Sequence, residues 1–335
     1  MKKSYFIILV GLSVLTISGV STSTFPQAEI TNGLIYARIY LPDADSGYYR
    51  STRFDWSGVM PDLEYKGHTY SGQWFDKYDP TIHDAIMGPV ESFSPLGYDE
   101  AKPGSSFTQI GVGLLAKPSD APYSPFTYYK ILDAGKWSIK KKANEIDFMH
   151  ELAGSEYAYQ YKKSINVVKG KPEMILTHSL KNTGHQSIET EVYDHNLFVI
   201  DHQPTGPDFV IKFPFNLTSE EQGRRGIGDI AAIEKGQIIF LRELNKKEYT
   251  YSVMQGYSNS AKDYDIRIEN HKTGAGMRIT SDRPLSKLVF WASPRILCPE
   301  PYINIKIAPG EVFNWKLCYE FYINDTTNKS NKLIE

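Results

Sequence analysis

MILTHSLKNTGHQSIETEVYDHNLFVID, residues 174–201, is the stretch whose reading decides the fold. Apolar and polar positions alternate through ILTHSL, a Lys-Asn-Thr-Gly turn occupies 181–184, and the alternation resumes through IETEVYDHNLFVI. In an extended chain successive side chains point to opposite faces, so this pattern predicts two strands, each with one buried face, joined by a turn. Asn and Gly suit such a turn because both tolerate left-handed backbone.

The same reading continues outward. Upstream lie ITNGLIYARIYLP, SFTQIGVGLLAK and YAYQYKKSINVV; downstream lie QIIFLREL, TYSVMQGY, YDIRIENHKTG, GMRITSD, KLVFWAS, INIKIAPG and VFNWKLCYEFYI. Gly, Asn, Asp or Pro bounds most of these runs. No segment sustains a helical period with caps, and the best helical candidates, 219–225 and 79–86, are short. A dozen or more strands without interleaved helices predict an all-β fold, a large antiparallel β-sandwich rather than a parallel α/β sheet.

The ends read differently. Lys2 and Lys3, an uncharged apolar run over 5–20 and small residues at 19–23 predict an export signal over residues 1–23. The run is shorter than the ~20 residues of a spanning helix. The mature chain is therefore expected in the periplasm or secreted, with no integral membrane segment. Residues 24–323 are expected to form a single domain, with an elaborated loop region at about 43–105 that is dense in aromatics, Asp, Gly and His. Residues 324–335 read as a flexible tail.

Composition removes several function classes. The 37 basic and 39 acidic residues leave a net charge of −2, so nothing electrostatic points to nucleic acid or an anionic membrane. The 23 Tyr and 5 Trp offer flat apolar faces with polar handles, suited to sugar rings and to β-sheets alike. Cys298 and Cys318 either pair or act as two buried thiols, and no zinc-type spacing exists. Nothing in the chain signals an oligomeric state.

Two segments bring proton-transfer groups onto strands. By alternation His195 shares a face with Tyr193, Leu197 and Val199, while Asp194, Asn196 and Phe198 take the other. Glu300 stands between Pro299 and Pro301 in CPEPY, which fixes its direction and places it at a strand edge or mouth. Burial would raise its pKa and suit it to act as a base near neutral pH. The pair is expected to face one pocket, about a sugar ring apart. In the loops, Arg53 either clamps sugar hydroxyls or pairs with Asp55 or Asp62. His83, beside Asp84, is either an acid–base group or a solvated residue. Glu91 completes the set of loop groups expected to line the pocket with Tyr193 and Asn196.

MILTHSLKNTGHQSIETEVYDHNLFVID resembles the middle of the galactose mutarotase-like proteins (aldose 1-epimerases), where an Asn-Thr-Gly-like turn precedes a strand bearing an Asn-His-aromatic motif. LCPEPY resembles the segment that carries the family's catalytic glutamate. The resemblance covers residues 111–322 loosely and implies a mutarotase-like β-supersandwich, with Glu300 as base and His195 as acid. It implies an isomerase that interconverts the anomers of a mono- or oligosaccharide without metal or organic cofactor. Two departures stand out: Asp194 replaces the usual Asn, and the family's earlier histidine has no counterpart in IGVGLL, residues 110–115, leaving His83 or Lys117 as substitutes. A groove longer than one sugar would favour a lyase or hydrolase of the same superfamily. A non-catalytic sugar-binding module would need the aromatics but neither His195 nor Glu300.

Overall fold

Alternation along the chain becomes sheet wherever one face can be buried. The computed structural model describes residues 25–219 and 227–324, so the export signal and all of the tail except Asn324 lie outside the described residues. Within them nearly every element is a strand, and the one helical turn is the 3-10 segment Ala261–Asp263. Residues 79–86, a helical candidate in the sequence, form turns, with Asp79 accepting from the Thr81 amide at 2.8 Å. No helix among the described residues is long and apolar enough to cross a membrane.

The strands form a ten-stranded and a six-stranded antiparallel sheet, with smaller sheets of four and three strands. Glu173–Asn182 and Ile188–Leu197, adjacent in sequence, do not pair with each other. The first lies in the ten-stranded sheet and the second in the six-stranded one, so the turn between them crosses from sheet to sheet. Buried Asn182 holds this corner: its amide donates to Gln186 O at 2.8 Å and Ile307 O at 3.0 Å, and its carbonyl accepts from the Gly184 amide at 3.0 Å.

Between the two large sheets lies one apolar core. Phe148, Tyr161, Leu176, Leu180 and Phe321 of the ten-stranded sheet meet Val192, Phe290, Ile303 and Ile305 of the six-stranded sheet. Each such side chain contributes about 1.5–3 kcal/mol by leaving water. The same interior holds a charged bolt. Lys163, on Tyr159–Val167, pairs with Glu91, on Gly88–Phe93, and His178 Nε2 lies 2.6 Å from the other Glu91 oxygen. Asp55 Oδ2 stands 3.9 Å from the Lys163 ammonium.

The six-stranded sheet also buries its outer face. Val90, Leu197, Ile296 and Cys298 pack there against Tyr48, Tyr49, Phe54, Trp56, Tyr98 and Tyr129. The region read as irregular loop thus forms a second core over the sheet. It also contains strands that the sequence reading missed, among them Asp62–Tyr65 and Gly88–Phe93. In Gly88–Phe93 every residue is buried, so no alternation marks it. Both cysteines are free, Cys298 in this second core and Cys318 on the ten-stranded sheet.

Candidate active site

A cavity of about 760 Å³ opens on the outer face of the six-stranded sheet, within the range of a small-molecule site. Strand register explains its floor. Ile188–Leu197 pairs with Ile296–Ile307 from Ile188 opposite Ile307 to Tyr193 opposite Tyr302. Two residues further along that register His195 falls opposite Glu300, and the His195 Nε2 to Glu300 Oε1 distance is 3.5 Å.

The prolines open the ladder at this point. Leu297 exchanges both backbone hydrogen bonds with Phe198 across the gap, and Pro299 and Pro301 share its parity. Their missing N–H groups therefore face the histidine strand, where pairing lapses, and the Asn196 amide bridges the gap by donating to Pro299 O at 2.9 Å. Of the two places the sequence reading left open, a strand edge or a mouth, the edge is excluded: Glu300 lies on an interior strand flanked by Lys287–Ser293 and Ile188–Leu197 and lines the cavity. The separation is also shorter than a sugar ring. Groups this close suit two oxygens on one carbon rather than opposite sides of a ring.

Both groups are nearly buried, His195 at 4% exposure and Glu300 at 6%. Burial pushes the Glu300 carboxyl up to about 7 against the pull of Arg53. Burial, with Arg53 adding to it, holds His195 well below its usual 6.5. The resemblance made His195 the acid; in this electrostatic setting the proton rests more readily on Glu300. Phe54 and Trp291 meet the His195 ring edge to face at 5.3 and 6.2 Å, fixing its plane, while its Nδ1 has no hydrogen-bond partner among the described residues.

Arg53 lies against the Phe54 and Phe126 rings at 4.6 and 5.1 Å. It pairs with Asp84 and donates to the Tyr193 hydroxyl at 3.1 Å, and so joins neither Asp55 nor Asp62. Asp62 instead pairs with Arg38, and Asp55 bonds Ser57. The Ser92 hydroxyl donates to Arg53 O at 2.9 Å, which ties the loop to the sheet.

Other sequence-selected residues take supporting places. Tyr193 lines the cavity and stacks on Tyr302 at 4.5 Å. His83 lies behind the wall, with Nδ1 2.9 Å from Asp84 and its ring 5.2 Å from Phe126. Glu91 does not reach the cavity: strand alternation turns Ser92 toward it and Glu91 into the interior, onto Lys163 and His178. Lys117 is also turned away, donating to Tyr98 O at 2.8 Å in the second core. Asn196 faces the interior as well.

That interior face resolves the Asp194 departure. The Tyr319 hydroxyl contacts Asp194 and lies 3.0 Å from Asn196 Oδ1, yet it carries one proton. Burial, reinforced by the Glu91 charge, pushes the Asp194 carboxyl up and favours its neutral form. The Tyr319 hydroxyl donates toward Asp194 Oδ2 and Asn196 Oδ1, which offsets part of that rise.

The cavity also collects residues that the sequence reading passed over: Trp74, Asp84, Phe126, Glu191, Tyr251, Lys287, Trp291 and Tyr302. The signal for some was present, because Lys287 and Trp291 lie opposite Tyr302 and Cys298 and share a face with Glu300. No family model matches the chain, and no curated protein does. Solved structures do. A candidate aldose 1-epimerase from Escherichia coli K12 superposes with a TM-score of 0.54 at 13% identity, over 89% of this chain and 99% of that one. The galactose mutarotase related enzyme from Lactobacillus acidophilus gives 0.53 at 12% identity, over 89% and 98%. An aldose epimerase homologue from C. elegans gives 0.54 at 12% identity, over 90% and 100%. The fold is mutarotase-like. At these identities the likeness extends to the architecture and leaves the chemistry to the residues described above.

Proposed function

We propose that the protein is an exported aldose 1-epimerase-type enzyme, acting at the anomeric carbon of a sugar through His195 and Glu300. The observation that carries this reading is their 3.5 Å separation in a cavity lined by Tyr and Trp rings. Anomer exchange removes the proton of the anomeric hydroxyl and adds one to the ring oxygen. Both oxygens sit on the same carbon, so neighbouring groups can serve both. The C–O ring bond breaks, the C1–C2 bond turns, and closure from the other face returns both protons with the anomer inverted. Arg53, Tyr193 and Lys287 supply hydrogen bonds that orient the ring hydroxyls.

The pair works with one proton between its members, whichever of them holds it at a given instant. Glu300 keeps that proton only up to about pH 7, and His195 cannot hold it there. The rate is therefore expected to fall as pH rises through about 7 and to hold steady on the acid side until His195 protonates, as a pH profile of kcat would read. Export rests on Lys2, Lys3 and the apolar run over 5–20. Mass spectrometry of protein from the native host should find a chain beginning near residues 21–25, and a full-length cytoplasmic product would contradict it.

NMR of anomer exchange over a panel of free reducing sugars, with glycosidic cleavage read in the same samples, tests the activity. Accelerated exchange of at least one sugar without cleavage is expected. Cleavage without exchange would replace this reading with a lyase or hydrolase, and binding without either with a sugar-binding module.

A further inference from the structure

We infer that the site takes an oligosaccharide, with its reducing-end sugar over His195 and Glu300 and the next sugar in a second cleft beside it. This rests on the reading of the His195–Glu300 pair proposed above and names its substrate class; because a cleft longer than one sugar is also the feature expected of a lyase or hydrolase, the test below reads chain shortening beside anomer exchange. The second cleft, about 770 Å³, shares Trp74, Tyr249 and Trp291 with the first and continues past them to Phe75, Leu244 and Arg295.

A line of aromatic contacts joins the two. His195 meets Trp291 at 6.2 Å, Trp291 meets Trp74 at 5.5 Å, and Trp74 meets Phe75 at 5.8 Å, each edge to face. Trp74 and Trp291 line both clefts and Phe75 lines the second. A pyranose has the matching surface, with C–H groups on its faces and hydroxyls around its rim, and C–H groups are attracted to the electron-rich face of an indole or phenol. The rings are also held in place. Trp74 Nε1 donates to Ile86 O at 3.0 Å, and Trp291 is fixed on its strand opposite Tyr251 and Cys298.

Tyr249 is 52% exposed, a large amphipathic ring left facing solvent where the two clefts meet. Beyond it Arg295 pairs with Asp76 at 2.5 Å, and Lys246 and Lys247 line the same wall. These give the far end hydrogen-bonding groups suited to a ring's hydroxyls. A monosaccharide over the catalytic pair would leave this second space empty, whereas a linear chain with a free reducing end fills both.

Isothermal titration with reducing mono-, di- and trisaccharides of glucose, galactose, mannose and xylose tests the inference, with anomer exchange and chain length followed by NMR. One stacked ring is worth roughly two- to tenfold in affinity. At least one disaccharide is therefore expected to bind roughly two- to tenfold more tightly than its monosaccharide, with little further gain for the trisaccharide. The gain should shrink in Tyr249→Ala and Arg295→Ala, read as the disaccharide-to-monosaccharide ratio within each variant. Equal affinity for mono- and disaccharides, or a gain that survives both substitutions, overturns the second subsite and leaves the epimerase reading standing. Tight disaccharide binding with shortening of the chain upholds the subsite and overturns the epimerase reading. Binding of no saccharide overturns both.

Discussion

Glu300 is a carboxyl kept where ionisation is disfavoured, and that has a stability consequence separate from turnover. Its pKa is about 7 in the folded protein against 4.5 ordinarily. The folded state therefore binds more protons between those values, and stability falls as pH rises from 4.5 to 7. Glu300→Gln removes that cost. It should be more stable than the parent by roughly 3 kcal/mol above pH 7, with the gain vanishing near pH 4. Urea unfolding at pH 4 and pH 8 checks this, and an equal effect at both values would contradict the buried-carboxyl description. Asp194 offers a second test. Because burial and the Glu91 charge both favour its neutral form, Asp194→Asn should cost less than about 1 kcal/mol in the same assay. A loss several times larger would mean that the ionised form is the one the fold uses.

At the scale of elements, the bolt of Glu91, Lys163 and His178 joins the two large sheets directly behind the cavity. Burial would raise the Glu91 carboxyl, but the Lys163 charge and His178 outweigh it and bring it down to about 2. Removing one partner leaves charge without compensation in the interior. Lys163→Met should lose about 3–5 kcal/mol by denaturant unfolding, and the double change with Glu91→Gln should recover part of that loss. A neutral Lys163→Met would show that the bolt is not ionised as described. Single strands were legible in the sequence wherever one face is buried, as in Glu173–Asn182 and Ile188–Leu197. Gly88–Phe93 was not, because burial on both faces erases alternation. That omission also misplaced Glu91, since only its strand parity sends it inward rather than to the cavity.

For the molecule as a whole, the all-β sandwich was legible, but the way its parts meet was not. The sheet-crossing at Asn182, the packing of the N-terminal segments on the outer face and the register that sets His195 opposite Glu300 all join residues distant in the chain. Local pattern does not encode such pairings. His195 and Glu300 were visible as residue types on strands, while their near-contact, and the meeting of Arg53 with Asp84 and Tyr193, arise from the tertiary fold alone. The aromatic line from His195 to Phe75 likewise draws on three separate segments. The central claim is that this tertiary meeting of one imidazole and one carboxyl is catalytic. Anomer-exchange rates by NMR for the parent, Glu300→Gln and His195→Asn, on the best sugar of the panel, test it most directly. Each substitution should lower the rate by ~100- to 10,000-fold while sugar binding persists, and the double change should lose little more than the worse single one. Rates within twofold of the parent in both single variants would contradict it.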